Sequence, residues 1–357
     1  MLTGNIPLFM QILFRTDAGA GIGSGHLMRC LGLAQFLCDE GAGCTLLTAR
    51  PAEGAVERWH GEGVEVLELR EGRGSLEDAA ATLAAAVASA AQWIVADGYE
   101  FDLSWQRAVK EGGTKLLCFD DLGGAAFAAN LVVNQNPGAQ GLSYDMEGGG
   151  RVLVGPDYVM LRREFRRLKH EESPDAPHLL VTFGGYDRDN LAFAAMGELA
   201  RLDTPFTATV ICSADADGLA EAQAFAASHP DRFRVLAPAD MAPLIAAADL
   251  ALCAGGTTML ELTACGAPMV MVTVADNQEP GAAALDRAGC ARLAGQAPAA
   301  LPAAAREIGR LLDDAAARAE MSRLGNKLID GRGVERVAAA LRGVEASLLF
   351  GGASGVF

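Results

Sequence analysis

Short apolar runs alternate along the chain with stretches in which apolar residues recur at three- and four-residue steps. Runs at 12–14, 44–48, 64–69, 93–96, 115–119, 131–133 and 152–154 predict strands, with helices over 26–37, 54–61 and 76–91. Strands apolar along their whole length belong to parallel sheets buried on both faces, which bind ligands at the strands' carboxyl ends. From residue 178 the pattern starts again, with strands at 178–183, 207–212, 233–236, 250–253 and 269–274. Helices are expected here from about 190, at 219–228, at 241–247 and at 334–343. Between the two series, RREFRRLKHEESPDAP (162–177) is charged, carries two prolines and lacks a core pattern, which puts a boundary near 168–177. The reading is an α/β protein of two similar Rossmann-like halves facing each other across a cleft, 10–168 and 176–343. Residues 1–9 precede the first strand, Met10 offers a second start, and the glycine-rich 344–357 is expected to be a loose tail.

Two strand-to-helix turns carry the candidate chemistry. The first strand runs into a glycine-rich loop, Thr16 to Gly25, and an amphipathic helix follows with His26 in its first turn and Leu27, Cys30, Leu31, Ala34 and Leu37 on one face. Unpaired N–H groups and partial positive charge at a helix start suit an anionic ligand, and Gly25 lets that ligand approach the main chain. The second turn is Ala254-Gly255-Gly256-Thr257-Thr258-Met259-Leu260-Glu261. Gly255, Gly256, Thr257 and Thr258 supply N–H and hydroxyl donors for a diphosphate. Glu261 follows Thr257 by one turn, where a carboxylate accepts two hydrogen bonds from a ribose diol. Other strands end in polar residues: Asp97 and Tyr99, Asp120 and Asp121, Gln135, and Asn277 with Gln278. Of these, Asp97, Asp120, Asp121 and Gln135 read as structural.

Composition narrows the partners. A net charge of −16 over 357 residues argues against nucleic acid, while a helix start still supplies local positive potential for a nucleotide. The first loop does not fit G-x-G-x-x-G, and the second strand ends at Ala49-Arg50 without the acidic residue an NAD ribose needs. No cofactor is expected. Eight scattered cysteines without a C-x-x-C pair read as reduced core residues of a cytoplasmic protein. The five histidines lack metal-ligand spacing, so no metal is expected. No apolar run is long enough to span a bilayer, and a monomer is expected.

The motifs F-R-T-D, I-G-S-G-H-L-M-R-C-L, A-D-G-Y, F-D-D-L, N-Q-N, G-P-D-Y-V-M-L-R-R-E-F, T-F-G-G-Y-D, A-G-G-T-T-M-L-E and A-D-N-Q occur in this order from about residue 12. Together they resemble the PseG family, UDP-2,4-diacetamido-2,4,6-trideoxy-β-L-altropyranose hydrolases of pseudaminic acid biosynthesis and relatives of MurG glycosyltransferases. The resemblance implies the GT-B fold, hydrolysis of a UDP-sugar, His26 as the base and the 254–261 turn as the UDP holder. Departing UDP is a stabilised anion, so one base and a positive phosphate site suffice without paired carboxylates, and a single displacement inverts the anomeric carbon. Asp17 is then a candidate to orient the imidazole or hold a sugar hydroxyl, and Tyr99 to position the sugar. The rival readings are a MurG-like transferase and a nucleotide-sugar-binding protein without catalysis.

Overall fold

In a computed structural model, residues 10–18, 24–49, 53–170, 177–184, 187, 189–213, 216, 218–237 and 239–343 are described. Residues 19–23 of the first loop, Gly185 and Tyr186, and the tail 344–357 lie outside the described residues.

Among the described residues the first half contains nine strands: β1 (Gln11–Thr16), β2 (Gly43–Thr48), β3 (Glu65–Glu68), β4 (Trp93–Asp97), β5 (Lys115–Phe119), β6 (Ala126–Phe127), β7 (Leu131–Asn134), β8 (Asp145–Met146) and β9 (Arg151–Val154). Seven of them form a parallel sheet in the order β3-β2-β1-β4-β5-β7-β9, and β6 and β8 pair separately. The second half adds β10 (His178–Thr182), β11 (Thr207–Ile211), β12 (Phe233–Leu236), β13 (Leu250–Ala254), β14 (Met269–Thr273) and β15 (Arg292–Gln296). These form a second parallel sheet, β12-β11-β10-β13-β14-β15. Strand order reverses direction beside β1 in one sheet and beside β10 in the other. At such switch points neighbouring crossovers leave on opposite faces and open a crevice at the carboxyl ends.

Apolar burial holds each lobe together. Ile12, Leu13 and Phe14 are 0–1% exposed, and each such side chain contributes about 1.5–3 kcal/mol. The Gly25–Asp39 helix buries Leu27, Cys30, Leu31, Ala34 and Leu37 against the first sheet. It can lie flat on the segment that crosses between lobes because Gly32 has no side chain: a Cβ there would meet the Leu161 carbonyl at 3.0 Å.

The chain crosses between lobes twice. Val159, Leu161 and Phe165 already pack in a core of the second lobe, while Met160 packs in the first. The last helix, Gly333–Leu341, returns to the first lobe, burying Val334, Val337, Ala338 and Leu341 there, and Trp93 Nε1 donates to the Leu341 carbonyl at 3.1 Å. The 176–343 segment therefore supplies the second lobe with its final helix packed on the first. Its apolar spacing looks the same whichever core receives it.

Candidate functional site

Both crevices open into one cavity of about 460 Å³, within the usual range for small-molecule sites. From the first lobe it is lined by Gly25, His26, Arg29, Tyr99, Asp121 and Asn136. From the second it is lined by Gly255, Gly256, Thr257, Thr258, Asn277 and Gln278, with Asp187 and Asp189 alongside. Nine of the residues singled out in the sequence thus meet here: His26, Tyr99, Gly25, Gly255, Gly256, Thr257, Thr258, Asn277 and Gln278.

The helices that start on this cavity differ. The Leu191–Leu199 helix is already closed, its Leu191 and Ala192 N–H groups each 2.8 Å from an Asp187 carboxylate oxygen. The Gly25–Asp39 and Thr257–Cys265 helices have no side-chain cap, and neither has an acidic residue in its first turn. Their starts abut: a Cβ on Gly25 would come within 3.2 Å of Thr257 Cγ2. Two open N-termini converging on one wall make a place for a multiply charged anion.

Beside them lies a buried charge cluster. The first turn of the Gly25–Asp39 helix brings His26 and Arg29, three residues apart, onto one face toward the end of β4. His26 Nδ1 lies 2.6 Å from Asp97 Oδ1. Arg29 donates to both Asp97 oxygens at 2.5 and 2.6 Å, and to both Asp121 oxygens at 2.7 and 3.1 Å. Burial opposes the Asp97 charge, but Arg29 and His26 outweigh it and hold the carboxyl well below the usual range. Burial likewise lowers the His26 value, yet Asp97 overcomes it, and the imidazole ends above its ordinary 6.5 with Arg29 opposing and Asp121 assisting. A carboxylate only accepts, so Nδ1 carries the hydrogen and Nε2 has no hydrogen-bond partner among the described residues. Tyr99 packs edge-on against the imidazole, 5.1 Å between ring centres, and accepts from Asn277 Nδ2 across the cavity at 2.9 Å.

Two sequence candidates stand elsewhere. Asp17 does not touch the imidazole: it pairs with Arg15 at 2.9 Å and accepts from Thr48 Oγ1 at 3.0 Å and the Ala49 N–H at 2.6 Å. Asp97 occupies the orienting position instead, because β4 lies beside β1 with Asp97 in register with Thr16. Glu261 does not line the cavity. Its Oε1 accepts from Arg162 Nη2 at 2.9 Å, and it borders a void of about 10 Å³ beyond Thr257 and Arg29, room for about one water. Asp97 and Asp121, read as structural, and Arg29, not singled out at all, belong to the site. The available signal was Arg29 itself, a charge on the buried face of an otherwise apolar helix. Among the described residues no group of three or more potential ligands is arranged to hold a metal, and no helix is long and apolar enough to cross a membrane.

The two parallel sheets and the cleft between them define a GT-B fold. MurG from Acinetobacter baumannii superposes with a TM-score of 0.67 at 17% identity, covering 94% of this chain and 100% of that one. A UDP co-structure of Staphylococcus aureus MnaA gives a TM-score of 0.66 at 14% identity, covering 93% and 96%. Residues 197–331 match the family model of the glycosyltransferase family 28 C-terminal domain. Among characterised sequences, the Campylobacter jejuni UDP-2,4-diacetamido-2,4,6-trideoxy-beta-L-altropyranose hydrolase is 25% identical over 223 residues, 62% of this chain and 76% of that protein. The Bacillus subtilis spore coat polysaccharide biosynthesis protein SpsG is 24% identical over 250 residues, 65% of this chain and 70% of its own. An uncharacterised Methanocaldococcus jannaschii protein, MJ1062, is 24% identical over 275 residues, 74% of this chain, and the match spans 55% of its length.

Proposed function

We propose that this protein hydrolyses a UDP-linked 2,4-diacetamido-2,4,6-trideoxy sugar to UDP and the free sugar, with inversion at the anomeric carbon. The observation that carries the reading is His26, its Nδ1 held by Asp97, facing the same cavity as the uncapped start of the Thr257–Cys265 helix. The diphosphate rests on that helix start, among Gly255, Gly256, Thr257 and Thr258. It does not rest on the Leu191–Leu199 helix, whose first N–H groups already have Asp187. Neutral His26 takes a proton at Nε2 from a water, the water oxygen bonds to the anomeric carbon, and the bond to the diphosphate oxygen breaks with its electron pair leaving on UDP. Donors fixed before the reaction stabilise the charge that develops on the diphosphate. Asp97 keeps the imidazole in the tautomer that accepts, and Tyr99 and Asn277 position the sugar.

The sugar named here follows the motif resemblance and the likeness to the Campylobacter hydrolase. The ribose role of Glu261 requires its carboxylate to exchange Arg162 for the ribose diol, and weaker UDP binding by Glu261→Ala tests it. One observation favours transfer to an acceptor other than water: the family 28 glycosyltransferase match over 197–331. Incubation with a UDP-diacetamido sugar and no acceptor separates the two. Hydrolysis yields one free sugar per UDP, and a transferase leaves the donor intact.

A further inference from the structure

Asp121 follows β5 and accepts four hydrogen bonds at the cavity. Its Oδ1 takes Arg29 Nη1 at 2.7 Å and Asn136 Nδ2 at 2.7 Å, and its Oδ2 takes Arg29 Nη2 at 3.1 Å and the Tyr99 hydroxyl at 3.1 Å. Burial opposes its charge, but Arg29 keeps it below the usual carboxylate range, so it is ionised and can only accept. The Tyr99 phenol, raised by burial and by this same carboxylate, retains the hydrogen that it gives to Asp121.

This settles which atoms the neighbours present. With its hydrogen on Asp121, Tyr99 offers the cavity lone pairs alone, and it already accepts from Asn277. With one hydrogen of its NH₂ on Asp121, the Asn136 amide is held in one orientation, so its carbonyl oxygen and its second N–H keep fixed places. His26, tied through Nδ1, likewise presents an acceptor at Nε2. Beside Arg29 and the N–H groups of its own helix start, the first lobe thus presents the Tyr99 hydroxyl and His26 Nε2 as acceptors, with the donors of the Thr257–Cys265 helix start on the second lobe. The helix starts suit an anion, and the Tyr99 and His26 acceptors suit hydrogen donors such as water and the N–H and O–H groups of a sugar.

We propose that Asp121 is a positioning residue of the reaction, holding the Tyr99 hydroxyl as an acceptor and the Asn136 amide in one orientation, so that these groups orient the attacking water and the sugar's donor groups. This role rests on the hydrolase reading above. It is distinct from simple charge pairing with Arg29, because an uncharged isostere that donates as well as accepts would free Tyr99 to turn its hydrogen into the cavity.

Asp121→Asn in the full chain tests it. The expected result is kcat reduced by at least about 30-fold, with UDP affinity by calorimetry within about twofold, since the diphosphate binds the Thr257–Cys265 helix start. The His26 titration followed by NMR should also move to lower pH. The charged or ionisable groups around that ring are Asp97 from β4, Arg29 on its own helix, Asp121 and Tyr99, with Asp187 and Asp189 across the cavity, and the substitution removes one negative charge from this set. Adding Tyr99→Phe to Asp121→Asn should cost less than Tyr99→Phe alone costs the wild type. A variant with kcat within about threefold of wild type, or with the His26 titration unmoved, overturns the proposal. Should Asp121→Asn not fold, Tyr99→Phe and Asn136→Ser decide: each is expected to lose at least about tenfold in kcat with UDP binding retained, and full activity in both overturns the role. If the wild type releases no sugar, the hydrolase reading falls and this role with it; an active wild type matched by its Asp121 variant removes the role alone.

Discussion

His26 Nδ1 and Asp97 Oδ1 lie 2.6 Å apart, one at the start of the helix after β1 and the other at the end of β4. Parallel pairing of β1 with β4 puts Thr16 opposite Asp97, so the two side chains meet at the point where the strand order reverses. The pair fixes which ring nitrogen faces the cavity, and it raises the pH at which that nitrogen becomes a base. The chemistry at His26 is therefore tied to a carboxylate 71 residues away in sequence.

Replacing His26 with Ala should remove turnover and spare binding. Loss of a general base costs about 10²–10⁴-fold in kcat, and UDP affinity by calorimetry should stay within about twofold because the diphosphate donors are untouched. A comparable loss of UDP affinity would place the imidazole on the nucleotide instead.

The pH profile follows from the raised His26 value. The base must be neutral, so kcat/KM should climb with a midpoint above pH 6.5, and Asp97→Asn should move that midpoint lower while reducing kcat by about 10- to 100-fold. Stability carries the same sign. A His whose folded value is raised contributes fully below its unfolded value of about 6.5 and loses that contribution as pH rises through the folded value. The urea midpoint difference between wild type and Asp97→Asn should therefore shrink as pH rises above about 6.5. Asp97, whose folded value is depressed, contributes above about pH 3.9 and loses its contribution as acid takes it through the folded value.

Much of this architecture was legible beforehand, for identifiable reasons. Strands buried on both faces, such as 93–96 and 250–253, are continuous apolar runs that turn chemistry delimits on either side. β15 is different: it sits at a sheet edge, is half-buried, and shifts register opposite Met271 and Val272, so Arg-Leu-Ala-Gly-Gln carries no strand signature. The glycine and threonine turn at 255–258 was readable because its chemistry is local. Asp17 and Asp97 were not separable, since both end strands, and only the pairing of β1 with β4 decides which carboxylate reaches the imidazole.

Asp17→Asn should behave as a stability variant. It leaves the buried Arg15 with Asp78 as its remaining carboxylate, and breaking a buried pair costs about 3–5 kcal/mol. Denaturation should show a loss of that order while the His26 titration in the folded fraction stays at its wild-type position; a shifted titration would return Asp17 to the site.

Removing the hydroxyls of Thr257 and Thr258 by substitution with Val should weaken UDP binding by roughly 3- to 10-fold each, the usual range for one hydrogen bond, and change kcat less. Unchanged affinity in both variants would move the diphosphate off this helix start.

The central claim is that water attacks the anomeric carbon with His26 as its base. Turnover of a UDP-diacetamido sugar in H₂¹⁸O, followed by mass spectrometry and by NMR of the first-formed anomer, reads that bond directly. The account predicts ¹⁸O in the free sugar with inverted configuration and none in UDP, and no such product from His26→Ala. Label in UDP, a retained anomer, or no free sugar from the wild-type protein would contradict it.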